Sequence, residues 1–144
     1  MRSPEYYAAV FGIIKNENWE ILMIKRKNTG YMDGYYWLPA GHIEWKETPT
    51  LAMQREILEE VWLHIVSENL KLINITYRIQ EDRVVVDFYF EALSYIGSPI
   101  NAEPEKSEWI YWIDWKKEGK IQFRETLKRI ERSETFSEID FRNL

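Results

Sequence analysis

Three glutamates fall within five positions of the stretch Arg55-Glu56-Ile57-Leu58-Glu59-Glu60-Val61-Trp62-Leu63. On a helix, residues three and four apart are surface neighbours, so Glu56 would meet both Glu59 and Glu60. Like charges at that spacing cost a helix roughly 0.2–0.5 kcal/mol per pair unless a cation offsets them, and Arg55 can neutralise only one. Carboxylate oxygens gathered in this way suit hard divalent cations such as Mg²⁺, Mn²⁺ or Ca²⁺. Zinc is a poor match, because the chain has no cysteine and its two histidines, His42 and His64, stand alone. The competing reading of the same residues is a plain solvated face, since glutamate is a common helix former.

A helix has to present these groups. Thr48 is a candidate N-cap with Pro49 at the first helical position, and no Gly or Pro interrupts the residues from Thr50 to Leu63. In projection Glu56, Glu59 and Glu60 span an arc of about 100°, with Leu51, Ile57, Leu58, Val61 and Trp62 roughly opposite as the expected core face. Upstream, residues 6–14 and 20–24 read as a β-hairpin around a polar turn at 15–18, and the Gly-rich, Pro-containing segment 28–42 reads as a structured loop. Downstream, residues 72–80 and 83–93 read as two strands joined at Glu81 and Asp82. A polar loop at 98–108 then leads to an aromatic strand at 109–115. An amphipathic helix over 120–132 would bury Ile121, Phe123, Leu127 and Ile130.

At 144 residues the chain has the length of one domain, and 45% apolar with 30% charged residues is the balance of a globular protein. Its seven Trp, nine Tyr and six Phe supply bulk for a core, for a ring-stacking site, or for both. No apolar run approaches the roughly 20 residues needed to cross a bilayer. The N-terminal MRSPEYY lacks the pattern of a secretion signal, so a cytoplasmic location is expected. A net charge of -5 argues against a nucleic-acid polymer as partner. An anionic small molecule would then need a cation to hold it.

The acidic stretch sits in a longer pattern: Gly41, five residues, Glu47, seven residues, then Arg55 to Leu63. This resembles the Nudix box, the signature of Nudix hydrolases, at every defined position of residues 41–63 but one. The flanks agree: LPAGHIE at 38–44, the loop at 28–42, the EPEK loop and the aromatic strand are similar to members of the family that hydrolyse nucleotides. The departure is Trp62, where the family has glycine. That glycine follows the helix in the left-handed region, which would cost a bulky residue about 1 kcal/mol or more, so an altered helix exit with the carboxylates intact is expected.

The resemblance implies an α/β fold, a Nudix-like α/β/α sandwich with a mixed central β-sheet, with residues 1–144 as a single Nudix domain. It implies cleavage of the diphosphate linkage in a nucleoside diphosphate attached to a further group. The expected substrate is a nucleoside triphosphate, giving monophosphate and pyrophosphate with Mg²⁺, Mn²⁺ being the alternative ion. Carried over by position, Glu56, Glu59 and Glu60 bind metal together with the carbonyl of Ala40, Glu47 and Arg55 orient them, and Glu59 or Glu60 is the candidate base. Glu105 is the leading candidate for a further metal carboxylate, with Glu103 and Glu108 as rivals, and all three as loop charges is the other reading. Arg26 either meets a phosphate or belongs to a solvated patch at 25–27. Tyr31, Tyr35, Tyr36 and Trp37 are candidates to stack a base, with core packing the fate of at least two. The pattern leaves the identity of His42 free, and it receives no catalytic role. The partner implied is a small nucleotide, with no membrane and no nucleic-acid polymer; homodimers are frequent in the family. A non-catalytic nucleotide sensor on the same fold is the alternative that Trp62 raises.

Overall fold

The computed structural model describes residues 5–144, so the first four residues of MRSPEYY lie outside the described residues. Eight strands, β1 (Glu5–Ile13), β2 (Ile21–Arg26), β3 (Tyr36–Trp37), β4 (Ala40–His42), β5 (Leu70–Ile79), β6 (Arg83–Ala92), β7 (Ser107–Ile113) and β8 (Phe136–Asp140), form two sheets. The larger has the order β4-β1-β6-β5-β8 and the smaller β3-β2-β7. The larger is mixed: β1 runs parallel to β6 and β5 parallel to β8, while β4 and the β5–β6 hairpin are antiparallel. Two helices, α1 (Pro49–Val61) and α2 (Arg124–Glu131), complete an α/β architecture with a mixed central sheet, as expected.

The opening hairpin closes at its turn but does not continue along the two strands. β1 pairs with β4 and β6, and β2 pairs with β3 and β7. The two segments meet at the bridge between Lys15 and Ile21, where the Leu22 N–H donates to the Ile14 carbonyl at 2.8 Å and the Asn16 N–H to the Glu20 carbonyl at 3.1 Å. The cause lies in their composition. The last five residues of β1 and the first four of β2 are buried without alternation, so each strand is interior to its own sheet and needs a partner on both edges. The second helix is also shorter than expected. Ile121 forms a parallel bridge with Tyr36 of β3 instead, with the Tyr36 N–H donating to the Lys120 carbonyl and the Gln122 N–H to the Tyr36 carbonyl. Ile121 and Leu127 are buried all the same, with Phe123 and Ile130 packed against that core.

α1 begins where its sequence indicates: the Thr48 hydroxyl accepts from the Leu51 N–H at 3.2 Å, ahead of Pro49. Its buried side is Ala52, Met53, Ile57 and Val61, packed on Val10, Ile14, Leu22, Ile24 and Phe90. Leu51, Leu58 and Trp62, expected on that side, form instead an outward stripe, 53%, 37% and 63% exposed. The arc that turns inward therefore includes Glu56 and Glu60.

Trp62 itself leaves the helix as the family glycine would. It adopts φ 59°, ψ 33°, and its N–H donates to the Leu58 carbonyl at 3.1 Å, so the expected altered exit is not found. A side chain in that region costs roughly 1–2 kcal/mol, and the exposed indole recovers little of this by burial. Trp62→Gly should therefore raise the melting temperature by about 2–4 °C per kcal/mol of strain released, with turnover unchanged. A lower melting temperature by circular dichroism would show that the indole has a partner that offsets the strain.

Candidate active site

β4 and α1 bring the acidic group together. Gly41 lies on the edge strand β4, and its missing side chain leaves room for Glu56: a Cβ built there would overlap the Glu56 carboxylate. Glu60 lies beside Glu56 and accepts from the Ala40 N–H at 3.1 Å. Burial, first of all, pushes the Glu60 carboxyl well above the ordinary glutamate range, and the Glu56 charge and a carboxyl–carboxyl hydrogen bond to Glu56 push the same way. Burial also raises Glu56, against hydrogen bonds to Glu60 and Arg55.

Arg55 organises the rest. Its Nε and Nη2 donate to the two Glu47 oxygens at 2.7 and 2.9 Å, its Nη2 to the His42 carbonyl at 3.1 Å, and its Nη1 to Glu56 at 2.7 Å and Glu59 at 3.4 Å. The pair holds Glu47 below the usual carboxylate range and raises Arg55. Glu59 points out to solvent, its side chain 52% exposed. Among the described residues no three His, Asp or Glu side chains converge as a ready cation cage. Two converge, Glu56 and Glu60, and burial opposes the negative charge of both.

From these carboxylates a cleft of about 440 Å³ runs across the larger sheet. Arg26 and Trp37 line one wall, with the guanidinium 3.9 Å from the indole centroid and its Nε donating to the Tyr31 carbonyl at 3.1 Å. Burial lowers the Arg26 pKa. Tyr31 lines the cleft edge-on to Trp37 at 5.9 Å. Tyr36 does not line it. Its ring packs against Tyr111 at 5.5 Å in the core, which corrects its expected place against substrate. Tyr35 is likewise absent from the cleft walls.

The loop carboxylate also differs. Glu103 lines the cleft near Glu60 and raises its pKa, whereas Glu105 is exposed outside the cleft and Glu108 pairs with Lys25 at 3.5 Å. The turn sets this choice: Asn101 Oδ1 accepts from the Glu103 N–H at 3.2 Å, and Lys106 and Ser107 donate their N–H groups to the Glu103 carbonyl. His42 stands at the cleft mouth, stacked on Tyr7 at 5.1 Å, and burial together with Arg83 and Arg78 lowers its pKa. Among the lining residues to which the sequence pattern assigns no role at the site are Arg78, Arg83, Gln122 and Phe123. Arg78 carried a signal, since a charge at an inward position of a β-strand needs a partner.

The model of the NUDIX domain matches residues 5–133, nearly the whole chain. This chain belongs to the Nudix family. It is a Nudix pyrophosphohydrolase. Over 99 residues the Nudix chain is 32% identical to an 8-oxo-dGTP diphosphatase of Escherichia coli (strain K12), covering 69% of this chain and 75% of the relative. It is 28% identical over 100 residues to an 8-oxo-dGTP diphosphatase of Haemophilus influenzae, covering 69% of this chain and 71% of the relative. Its fold is similar to that of the MutT protein from Methanosarcina mazei Go1, with TM-score 0.78, 19% identity, and 92% and 97% of the two chains covered. Nudix hydrolases act on small nucleotide substrates and need a divalent cation. No helix among the described residues is long and apolar enough to cross a membrane.

Proposed function

We propose that this Nudix enzyme hydrolyses a nucleoside triphosphate to the monophosphate and pyrophosphate with Mg²⁺, Mn²⁺ serving as the alternative ion. The observation that carries this reading is the Glu56–Glu60 pair, two part-buried carboxylates gathered against β4, Glu56 in the space above Gly41 and Glu60 accepting from the Ala40 N–H, at one end of a cleft. Paired carboxylates in such a position want a cation, and the oxygen-only donor set suits Mg²⁺. When bound, the cation offsets charge on the phosphate oxygens and lowers the pKa of water.

Glu56, Glu59, Glu60 and the Ala40 carbonyl would hold it, with Glu103 taking the part expected of Glu105. Glu59 would turn inward to join them, its only polar contact among the described side chains being the long one to Arg55. Glu47 and Arg55 fix the ligands from behind, which makes them positioning residues. Glu59 or Glu60 takes the proton of the attacking water. Arg26, seated on Trp37 beside the acidic end, holds a phosphate, and Trp37 and Tyr31, which both line the cleft, remain the candidates to face the base. The 8-oxo-dGTP diphosphatases among the relatives support a triphosphate substrate.

Purified protein with Mg²⁺ should convert one or more members of a nucleoside triphosphate panel to monophosphate plus pyrophosphate, identified by ³¹P NMR. No product from triphosphates, dinucleoside polyphosphates or nucleotide sugars would reject the proposal; orthophosphate released in place of pyrophosphate would reject the bond assigned.

A further inference from the structure

Arg78 is a cation in the interior. It projects from β5 into the cleft with 7% of its surface exposed, and its Nε and Nη2 donate to the two oxygens of fully buried Asp87 at 2.6 and 3.0 Å. The Phe123 ring lies 4.4 Å from the guanidinium carbon. Phe123 is itself fixed: it holds φ 56°, and its ring meets Phe11, Trp37 and Phe141 at 5.8, 6.0 and 5.2 Å. The third guanidinium nitrogen, Nη1, donates to no side chain or carbonyl among the described residues.

A buried ion pair is a weak device for stability, because apolar residues of similar volume usually do as well or better. What Arg78 and Asp87 provide that such residues would not is a rigid donor edge. Its position says what that edge could meet. The bidentate bond places the guanidinium over β6, two strands from β4, about 10 Å from the Gly41 edge where Glu56 and Glu60 meet. Gln122 and Phe123 share that far end. A nucleotide with its phosphates at the carboxylates would put its base there. The neighbouring unpaired groups are donors too, the Trp37 Nε1 and the Gln122 Nε2. Arginine suits the carbonyl oxygen of a 6-oxo purine, whereas the amino group of adenine is itself a donor.

We propose that Arg78, clamped by Asp87 and Phe123, is a specificity-determining residue that donates to a carbonyl on the base, so that the cleft prefers 6-oxo purines to adenine. The inference rests on the reading of the substrate as a nucleotide.

Binding of GMP, IMP and AMP by calorimetry tests it without turnover. The wild type should bind GMP and IMP about 10-fold or more tightly than AMP. Arg78→Met/Asp87→Leu, which removes both buried charges together, should bring the three affinities within about 3-fold of one another. Arg78→Lys keeps the charge but loses the planar fork and should narrow the preference; it decides the matter if the double variant does not fold. Equal affinities in the wild type, absence of binding to all three, or an undiminished preference in the folded variant overturns the proposal. So does equal weakening of all three, which would make Arg78 a phosphate contact. A failure of hydrolysis in the substrate panel is a separate result, since this measurement needs no bond cleavage.

Discussion

Glu60→Gln should lower turnover by roughly 10²–10⁴-fold and, in the same protein without divalent cation, raise the melting temperature at pH 8. The two effects have one cause. Burial and the neighbouring Glu56 raise the Glu60 carboxyl above its unfolded value, so the native state keeps a proton that the unfolded chain has lost. For a carboxyl shifted upward, stability is fully present below about pH 4.3, the unfolded value, and is lost as pH rises toward the folded one. A glutamine has no proton to lose, and its amide can keep the partners of a protonated carboxyl. Melting of the wild type in EDTA should therefore fall between pH 5 and 8 more steeply than melting of the variant. Mg²⁺ reverses the loss, contributing about 2.7 kcal/mol at a concentration of 100 times Kd, and should do so far less for the variant. A variant less stable than the wild type at pH 8 in EDTA, or one with near-normal turnover, would remove Glu60 from the cation site.

That the carboxylates share a helix was legible, because spacing alone makes Glu56 a neighbour of Glu59 and Glu60, and Thr48 with Pro49 marks the helix start. Which of them turn inward was not. An amphipathic projection assigns apolar residues to the core, yet Leu51, Leu58 and Trp62 face solvent while Glu56 sits against β4. The deciding feature is a non-local contact, the space above Gly41, and nothing in the helix sequence encodes it. The same limit explains β8. Its residues Phe136 to Asp140 carry a weak pattern and are ordered by pairing with β5, where the Asn74 Nδ2 donates to the Ser137 hydroxyl at 3.2 Å. Glu103 against Glu105 was decided by a turn around Asn101, below the resolution of composition. Arg78 and Asp87 could have been found. The hairpin turn at Glu81 and Asp82 sets Arg78 opposite Val85 and Thr76 opposite Asp87, which makes the two charges diagonal neighbours on one face.

Gly41→Ala puts the link between β4 and catalysis to the test. The added Cβ would occupy the space of the Glu56 carboxylate, and the atoms in its way are the end of a flexible side chain, not backbone. The fold can yield there cheaply; the site cannot. Moving Glu56 breaks the 2.7 Å contact with Arg55 Nη1 and separates it from Glu60, so two of the groups proposed to hold the cation lose their register. A displacement of about 1 Å can cost on the order of 10²-fold in rate, and a loss of that size is expected with the melting temperature nearly unchanged. A double-mutant cycle assigns the cause. In a Glu56→Ala background the carboxylate is gone, and adding Gly41→Ala should cost little further activity. If Gly41→Ala lowers turnover equally in both backgrounds, the glycine serves β4 pairing and not the carboxylate. If it leaves the wild-type rate intact, Glu56 can work from another position, and the tight approach of α1 to β4 is a packing feature without a catalytic role.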